Sequence, residues 1–217
     1  MTNTPPDIHA SRTPLTGRRT PGRAEPFPFA LVLLLLGTLI TPLCLAQAPF
    51  DEAGYRGIPY KAPTPDSAPG GITVLFADDV AALIASRPVT LLNVSPITLG
   101  PPDADGQRIW IPRRGYPMLN IPGSVWLPNI GYQSLDQATR HYLEQHLDLL
   151  TGNDTDHPLL VYCTSDCWMS WNAVRRLSLE YGYRTIYWYP MGIDGWQEDG
   201  RSLEKATPLP FAGQAAQ

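Results

Sequence analysis

Two cysteines four positions apart, Cys163 and Cys167, are the residues of this chain best placed to do covalent chemistry. They lie in the run Leu159-Leu-Val-Tyr-Cys163-Thr-Ser-Asp-Cys167-Trp-Met-Ser-Trp-Asn. Thiolate, not thiol, is the nucleophile. A cysteine at the carboxyl end of a parallel strand faces the N–H groups and the positive dipole end of the next helix, which favour that form. Cys163 is therefore the candidate nucleophile. Cys167 is close enough to resolve an adduct on Cys163 or to close a small disulfide with it. Asp166 between them opposes both a thiolate and an anionic substrate, unless it caps the following helix.

Other uses of the pair stay open. A structural disulfide is the plainest, and burial of both cysteines would favour it. Two thiolates are half of a zinc set, and His141, His146 and His157 lie outside the loop, so no metal site is expected. Copper(I) accepts two soft ligands, with Met169 and Met191 as extras, which leaves a copper or haem chaperone as an alternative. No cofactor is expected. Thr164, Ser165, Asp166, Trp168, Met169 and Ser170 complete the candidate active-site loop. Trp168 and Trp171, three apart, share one helix face as core or pocket wall; Trp196 is a further candidate wall.

The elements that must position this loop alternate between strand and helix. Strands are expected at Val89 to Val94, Ser124 to Leu127, Leu159 to Tyr162 and Thr185 to Tyr189, with a fifth near Thr73. Helices are expected at Asp78 to Ser86, Ser134 to Leu150 and Ser170 to Tyr181. In the second, Leu135, Ala138, Tyr142, Leu143 and Leu147 form one apolar stripe opposite Arg140, Glu144 and Asp148. The alternation predicts an α/β fold with a mostly parallel sheet of about five strands and helices on both faces. Ligands of such sheets bind at the carboxyl ends of the strands, where the cysteine loop lies. The stretch from Ser95 to Pro122, dense in Pro, Gly and Arg, is too long for an ordinary connection and reads as a functional insert or a loop.

The chain has 217 residues, and its first 46 do not read as part of this core. Arg12, Arg18, Arg19 and Arg23 precede an apolar run from Phe27 to Leu45 that ends in small residues at Cys44 and Ala46, the layout of a secretory signal cleaved after Ala46. Left uncleaved, the run approaches the length of a membrane anchor. Lipidation of Cys44 and twin-arginine export through Arg18-Arg19 fit less well, because Leu43 is large and the flanking pattern is missing. The expected organisation is a signal at 1–46, an extended Pro-rich arm at 47–71 and one domain at 72–217, exported to the periplasm. The whole chain carries 20 acidic and 16 basic side chains. The signal takes two and four of these with it, which leaves an acidic product and argues against a nucleic-acid partner. Cys44 leaves too, so Cys163 and Cys167 bridge each other or a partner where thiols oxidise.

The motifs resemble the rhodanese-like superfamily, and more closely its PQQ-dependent catabolism-associated CXXCW-motif proteins. The resemblance rests on Tyr55-Arg56, Tyr60-Lys-Ala-Pro63, Ile121-Pro-Gly-Ser-Val-Trp-Leu-Pro-Asn129, Tyr162-Cys163 through Cys167-Trp-Met-Ser-Trp-Asn-Ala173, and Trp188 to Trp196. It implies a rhodanese-like fold in which Cys163 takes the place of the persulfide-bearing cysteine. It also implies association with periplasmic alcohol oxidation by a PQQ-dependent dehydrogenase and its cytochrome c. The chain departs from the superfamily at Trp168, where rhodaneses hold an anion-binding Arg, and at Asn93-Val94-Ser95, where they read Asp-Val-Arg. The expected function is a thiol protein in support of that oxidation, with Cys163 persulfide- or redox-active and Cys167 resolving. The alternative is a non-catalytic binding module for the dehydrogenase or cytochrome, using the oxidised loop with Trp168 and Trp196.

Overall fold

A computed structural model describes residues 49–115 and 118–211. The expectation of a signal at 1–46 lies outside the described residues. Strand β1 (Thr73–Val74) leads to α1 (Ala77–Ser86) and β2 (Thr90–Asn93). A hairpin of β3 (Thr98–Leu99) and β4 (Trp110–Ile111) follows, then β5 (Leu119–Asn120), β6 (Val125–Trp126) and α2 (Gln137–Thr151). The chain continues through β7 (Leu159–Tyr162), α3 (Trp168–Leu179), β8 (Ile186–Tyr189), α4 (Gly192–Glu198) and β9 (Glu204–Lys205). Five strands form one sheet in the order β1-β8-β7-β2-β6, and every pairing in it is parallel.

Period-two alternation along the central strands builds two cores. Leu159 and Val161 of β7 join Leu92, Trp188 and the apolar residues of α2 and α3 on one face. Leu160 and Tyr162 join Leu91, Val80 of α1 and Trp196 of α4 on the other. β7 is buried along its whole length, as expected of a central parallel strand. The sheet and its two helical layers are those the sequence predicts.

The differences are local. α2 begins at Gln137 rather than Ser134, because Asp136 takes the cap position and its carboxylate accepts the Thr139 N–H at 2.7 Å. Ala138, assigned to the buried stripe, is exposed in the first turn. α3 starts two residues earlier than predicted, with Cys167 as its N-cap. α4 has no counterpart in the predicted elements. The 95–122 stretch contributes the β3–β4 hairpin and β5, and β5 pairs antiparallel with β9.

Candidate functional site

β7 delivers Cys163 into the core at the carboxyl edge of the sheet. Three residues on, Asp166 adopts a positive φ of 50°, which turns the chain so that Cys167 caps α3. Asx residues tolerate this left-handed conformation better than most. The turn brings the two Cα atoms to 6.2 Å, within the range a disulfide spans, and Cys163 and Cys167 are joined. Cys163 has no exposed surface and Cys167 retains 6%. In this oxidised state neither sulfur is a thiol.

The start of α4 closes the loop from one side. Gly192, at φ 52°, lies so close that a Cβ there would stand 2.1 Å from the Cys163 carbonyl oxygen. Only glycine fits both the conformation and the approach. The next residue, Ile193, donates its N–H to that carbonyl at 2.9 Å. Asp194 then accepts the Ser165 N–H at 3.0 Å and the Ser165 hydroxyl at 2.8 Å. A carboxylate of the chain itself thus occupies donors that an anionic substrate would use.

The arm closes the loop from the other side. Lys61 and Cys167 form an antiparallel bridge. It is flanked by the Ala62 N–H donating to the Asp166 carbonyl and the Trp168 N–H donating to the Tyr60 carbonyl, both at 2.9 Å. Trp168 donates its indole N–H to the Pro63 carbonyl at 3.1 Å. Phe50 packs edge-on against Trp168 and Trp171, with ring centroids at 5.4 and 6.0 Å, and the Arg56 guanidinium lies 4.9 Å from the Trp168 ring centre. Asn172 of α3 accepts the Arg56 N–H and donates to the Arg56 and Gly131 carbonyls.

Beside the loop, between the β3–β4 hairpin and the carboxyl ends of β2 and β6, lies a cleft of about 330 Å³. Thr164 and Ile193 reach it from the cysteine loop and α4. This is the edge of an open α/β sheet where ligands bind.

The rhodanese-like domain model matches residues 77–199, more than half of the chain, and spans every strand of the main sheet except β1, together with the cysteine loop and α4. The chain belongs to the rhodanese-like family. Part of it is similar in structure to a thiosulfate sulfurtransferase from Pseudomonas aeruginosa. The identity is 19% and the TM-score 0.43, over 65% of this chain and 22% of that one. It is also similar to a 3-mercaptopyruvate sulfotransferase from Escherichia coli, at 21% identity and TM-score 0.39, over 64% and 54%. A polysulfide-sulfur transferase homodimer from Wolinella succinogenes gives 16% and 0.37, over 61% and 78%. The chain therefore spans about a fifth and about half of the length of the first two. No curated protein matches it.

Within this rhodanese-like domain the predicted site residues separate. Thr164 lines the cleft and Ser165 binds Asp194. Asp166 does not cap α3; it supplies the turn and a carbonyl for the arm. Met169 is buried, its carbonyl so near residue 131 that a Cβ there would stand 1.9 Å from it, which is why Gly131 is glycine. Ser170 donates to the Cys167 carbonyl at 3.1 Å and accepts the Trp188 indole N–H at 3.0 Å. Trp168 and Trp171 form the seat of the arm. Trp196 is not beside the cysteines; it lies in the core on the opposite face of the sheet, under Arg201. Met191 is partly exposed at the start of α4, whereas Met169 is in the core. Among the described residues no group of three or more His, Cys, Asp or Glu is gathered for a metal ion.

Sequence reasoning missed Asp194 and the polar anchor beneath the arm. Asp194 lies inside the Gly192-to-Trp196 motif, and nothing in that spacing points it at Ser165. Arg176, 1% exposed, donates to the Ile130, Tyr132 and Gln133 carbonyls, while the Tyr55 ring lies 4.5 Å from its guanidinium carbon. The Tyr55 hydroxyl donates to Glu180 at 2.6 Å, and Arg140 pairs with Glu180 at 2.8 Å. Burial, followed by the bond to Glu180, pushes the Tyr55 hydroxyl well above its ordinary range. Burial also pulls the Arg176 guanidinium down. Burial acts to raise the Glu180 carboxyl, but the bonds from Tyr55 and Arg140 and the charge of Arg176 outweigh it and hold it below the usual value.

Proposed function

We propose that this chain is an exported rhodanese-like binding module that docks a PQQ-dependent dehydrogenase or its cytochrome c in periplasmic alcohol oxidation. In this reading the Cys163–Cys167 disulfide is a structural crosslink. The observation that carries it is the closure of the cysteine loop. Cys163 is buried in a disulfide, Asp194 holds both donors of Ser165, and the arm covers the start of α3. Sulfur transfer from an anionic donor needs an accessible thiolate and free donors around it. The dehydrogenase and cytochrome context rests on the motif resemblance, and export rests on the character of residues 1–46.

The test is a calorimetric titration of the mature protein with purified quinoprotein dehydrogenase and with its cytochrome c. Wild type and the Cys163→Ser/Cys167→Ser double variant are compared. Binding by both proteins is the expected result, together with no sulfur transfer to cyanide from thiosulfate or 3-mercaptopyruvate. Binding to neither protein, or turnover that depends on Cys163, overturns the proposal.

A second reading is favoured by one feature, the place of Cys163 at the carboxyl end of β7 ahead of α3. Here the pair cycles between disulfide and dithiol. An external thiolate attacks one sulfur, a mixed disulfide forms, and a second thiol releases Cys163 and Cys167 as thiols; the external dithiol is oxidised to its disulfide. Reduced Cys163 is then the redox- or persulfide-active nucleophile and Cys167 resolves it. Mass spectrometry of the reduced protein after exposure to polysulfide decides this. A one-sulfur adduct on Cys163 that Cys167 removes supports it, and an unmodified Cys163 sinks it.

A further inference from the structure

Between two fixed points the arm crosses the cysteine loop as a strap. At one end Tyr55 is buried, with its hydroxyl on Glu180; at the other, β1 pairs with β8 in the main sheet. None of residues 58–68 between them is buried. Hydrogen bonds hold this stretch down. Two main-chain bonds flank the Lys61–Cys167 bridge, and the Trp168 indole donates to the Pro63 carbonyl. The Lys61 ammonium donates to the Ser165 carbonyl at 2.5 Å, and the Trp171 indole to the Ser67 carbonyl at 3.2 Å. Tyr60 packs its ring edge-on against Tyr132, and its hydroxyl oxygen accepts the Gln133 N–H at 3.0 Å.

A segment with little buried apolar surface and hydrogen bonds near solvent opens at a smaller free-energy cost than the core does. The disulfide lies beneath such a segment. Cys163 presents no surface to a thiol, and the start of α4 packs on its carbonyl. Cys167 has the little surface that the pair retains, and it is the residue to which the strap is bridged. A reductant therefore approaches through Cys167, and the strap stands in its way.

We propose that residues 58–68 are a gate on the disulfide, which an external thiol reaches only when the strap lifts while the sheet stays folded. The chemistry behind the gate is thiol–disulfide exchange with an external dithiol. Its thiolate bonds to the Cys167 sulfur as the Cys163–Cys167 bond breaks, and Cys163 leaves with the electron pair and takes a proton from solvent. The second thiol of the reductant then displaces the Cys167 sulfur, so the reductant ends as its disulfide and the protein as a dithiol. The gate needs no docking partner, so it stands or falls apart from the function proposed above. Closed, it preserves a crosslink; open, it admits a redox partner.

Reduction of the folded mature protein by dithiothreitol, followed by alkylation and intact mass, tests the gate. Ala62→Pro removes the N–H that reaches the Asp166 carbonyl and sets a ring in its place. Tyr60→Ala removes the contacts to Tyr132 and Gln133. Each is expected to speed reduction roughly fivefold, the weight of one hydrogen bond or one aromatic pair on a local opening. Val80→Ala weakens the core on the opposite face of the sheet and leaves the strap untouched, so it is expected to reduce at the wild-type rate. Strap variants that reduce no faster than wild type overturn the proposal. So does a Val80→Ala protein accelerated as much as they are, because access would then follow global unfolding.

Discussion

The Asp194 carboxylate holds both donors of Ser165 with one oxygen, the backbone N–H at 3.0 Å and the hydroxyl at 2.8 Å. The contact links the start of α4 to the cysteine loop. Asp194→Ala is expected to lower stability by about 1–3 kcal/mol, the cost of two donors losing a charged acceptor. Asp194→Asn, which keeps an acceptor oxygen, is expected to lose less. Urea unfolding of the three proteins measures the series, and an Asp194→Ala midpoint equal to wild type would contradict it.

Opening the disulfide should be felt in the arm. The closed loop is short, so chain entropy predicts a loss of only about 2 kcal/mol on replacing both cysteines by Ser. Because the bridge between Lys61 and Cys167 joins the arm to that loop, the Ala62 and Trp168 amides should exchange faster with solvent in the double variant. Hydrogen exchange resolved by residue checks this, and unchanged protection at both amides would separate arm from disulfide.

Restoring the arginine that rhodaneses hold at position 168 should not restore their chemistry. Trp168 is 7% exposed and packs against Phe50, with the Arg56 guanidinium over its ring. Trp168→Arg removes that packing and sets two cations together, for a loss of about 3–5 kcal/mol. Thermal unfolding reads the loss. Assays with thiosulfate and cyanide should show no turnover, since Cys163 stays buried and crosslinked.

Acid should loosen the anchor beneath the arm. The Glu180 carboxyl titrates lower in the folded protein than in the unfolded chain, so the unfolded state binds its proton first. The contribution of Glu180 is complete above the ordinary glutamate range and is lost as pH falls through its depressed folded value. Urea midpoints measured from neutral pH down to about pH 3 should fall more steeply for wild type than for Glu180→Gln. Parallel profiles would remove Glu180 from the linkage.

The parts of the fold legible in the sequence are those written in local periodicity. β7 begins and ends where its apolar run does, and the β1, β2, β6 and β8 strands differ from expectation only at their ends. Helix starts were less legible because a cap competes among neighbours: Ser134 and Asp136 both suit the role, and the Asp136 carboxylate takes the Thr139 N–H. Within the candidate site, Cys163 and Cys167 stood out by type and spacing, while Asp194 and Arg176 did not. Their partners lie 29 residues away, at Ser165, and 46 residues away, at Ile130, and no periodicity records such distances.

Trp196 illustrates the same limit in the other direction. Its motif identifies it, yet the sheet stands between it and the cysteines, because successive side chains of β7 and β8 point to opposite faces and α4 packs on the second. By itself the sequence determined the α/β alternation, the central buried strand and the placing of Cys163 and Cys167 in one loop, all set by neighbours within a few residues. Only the tertiary structure decided that this loop is shut, because the carboxylate of Asp194 and the backbone of the arm reach it through long-range contacts that local sequence does not encode.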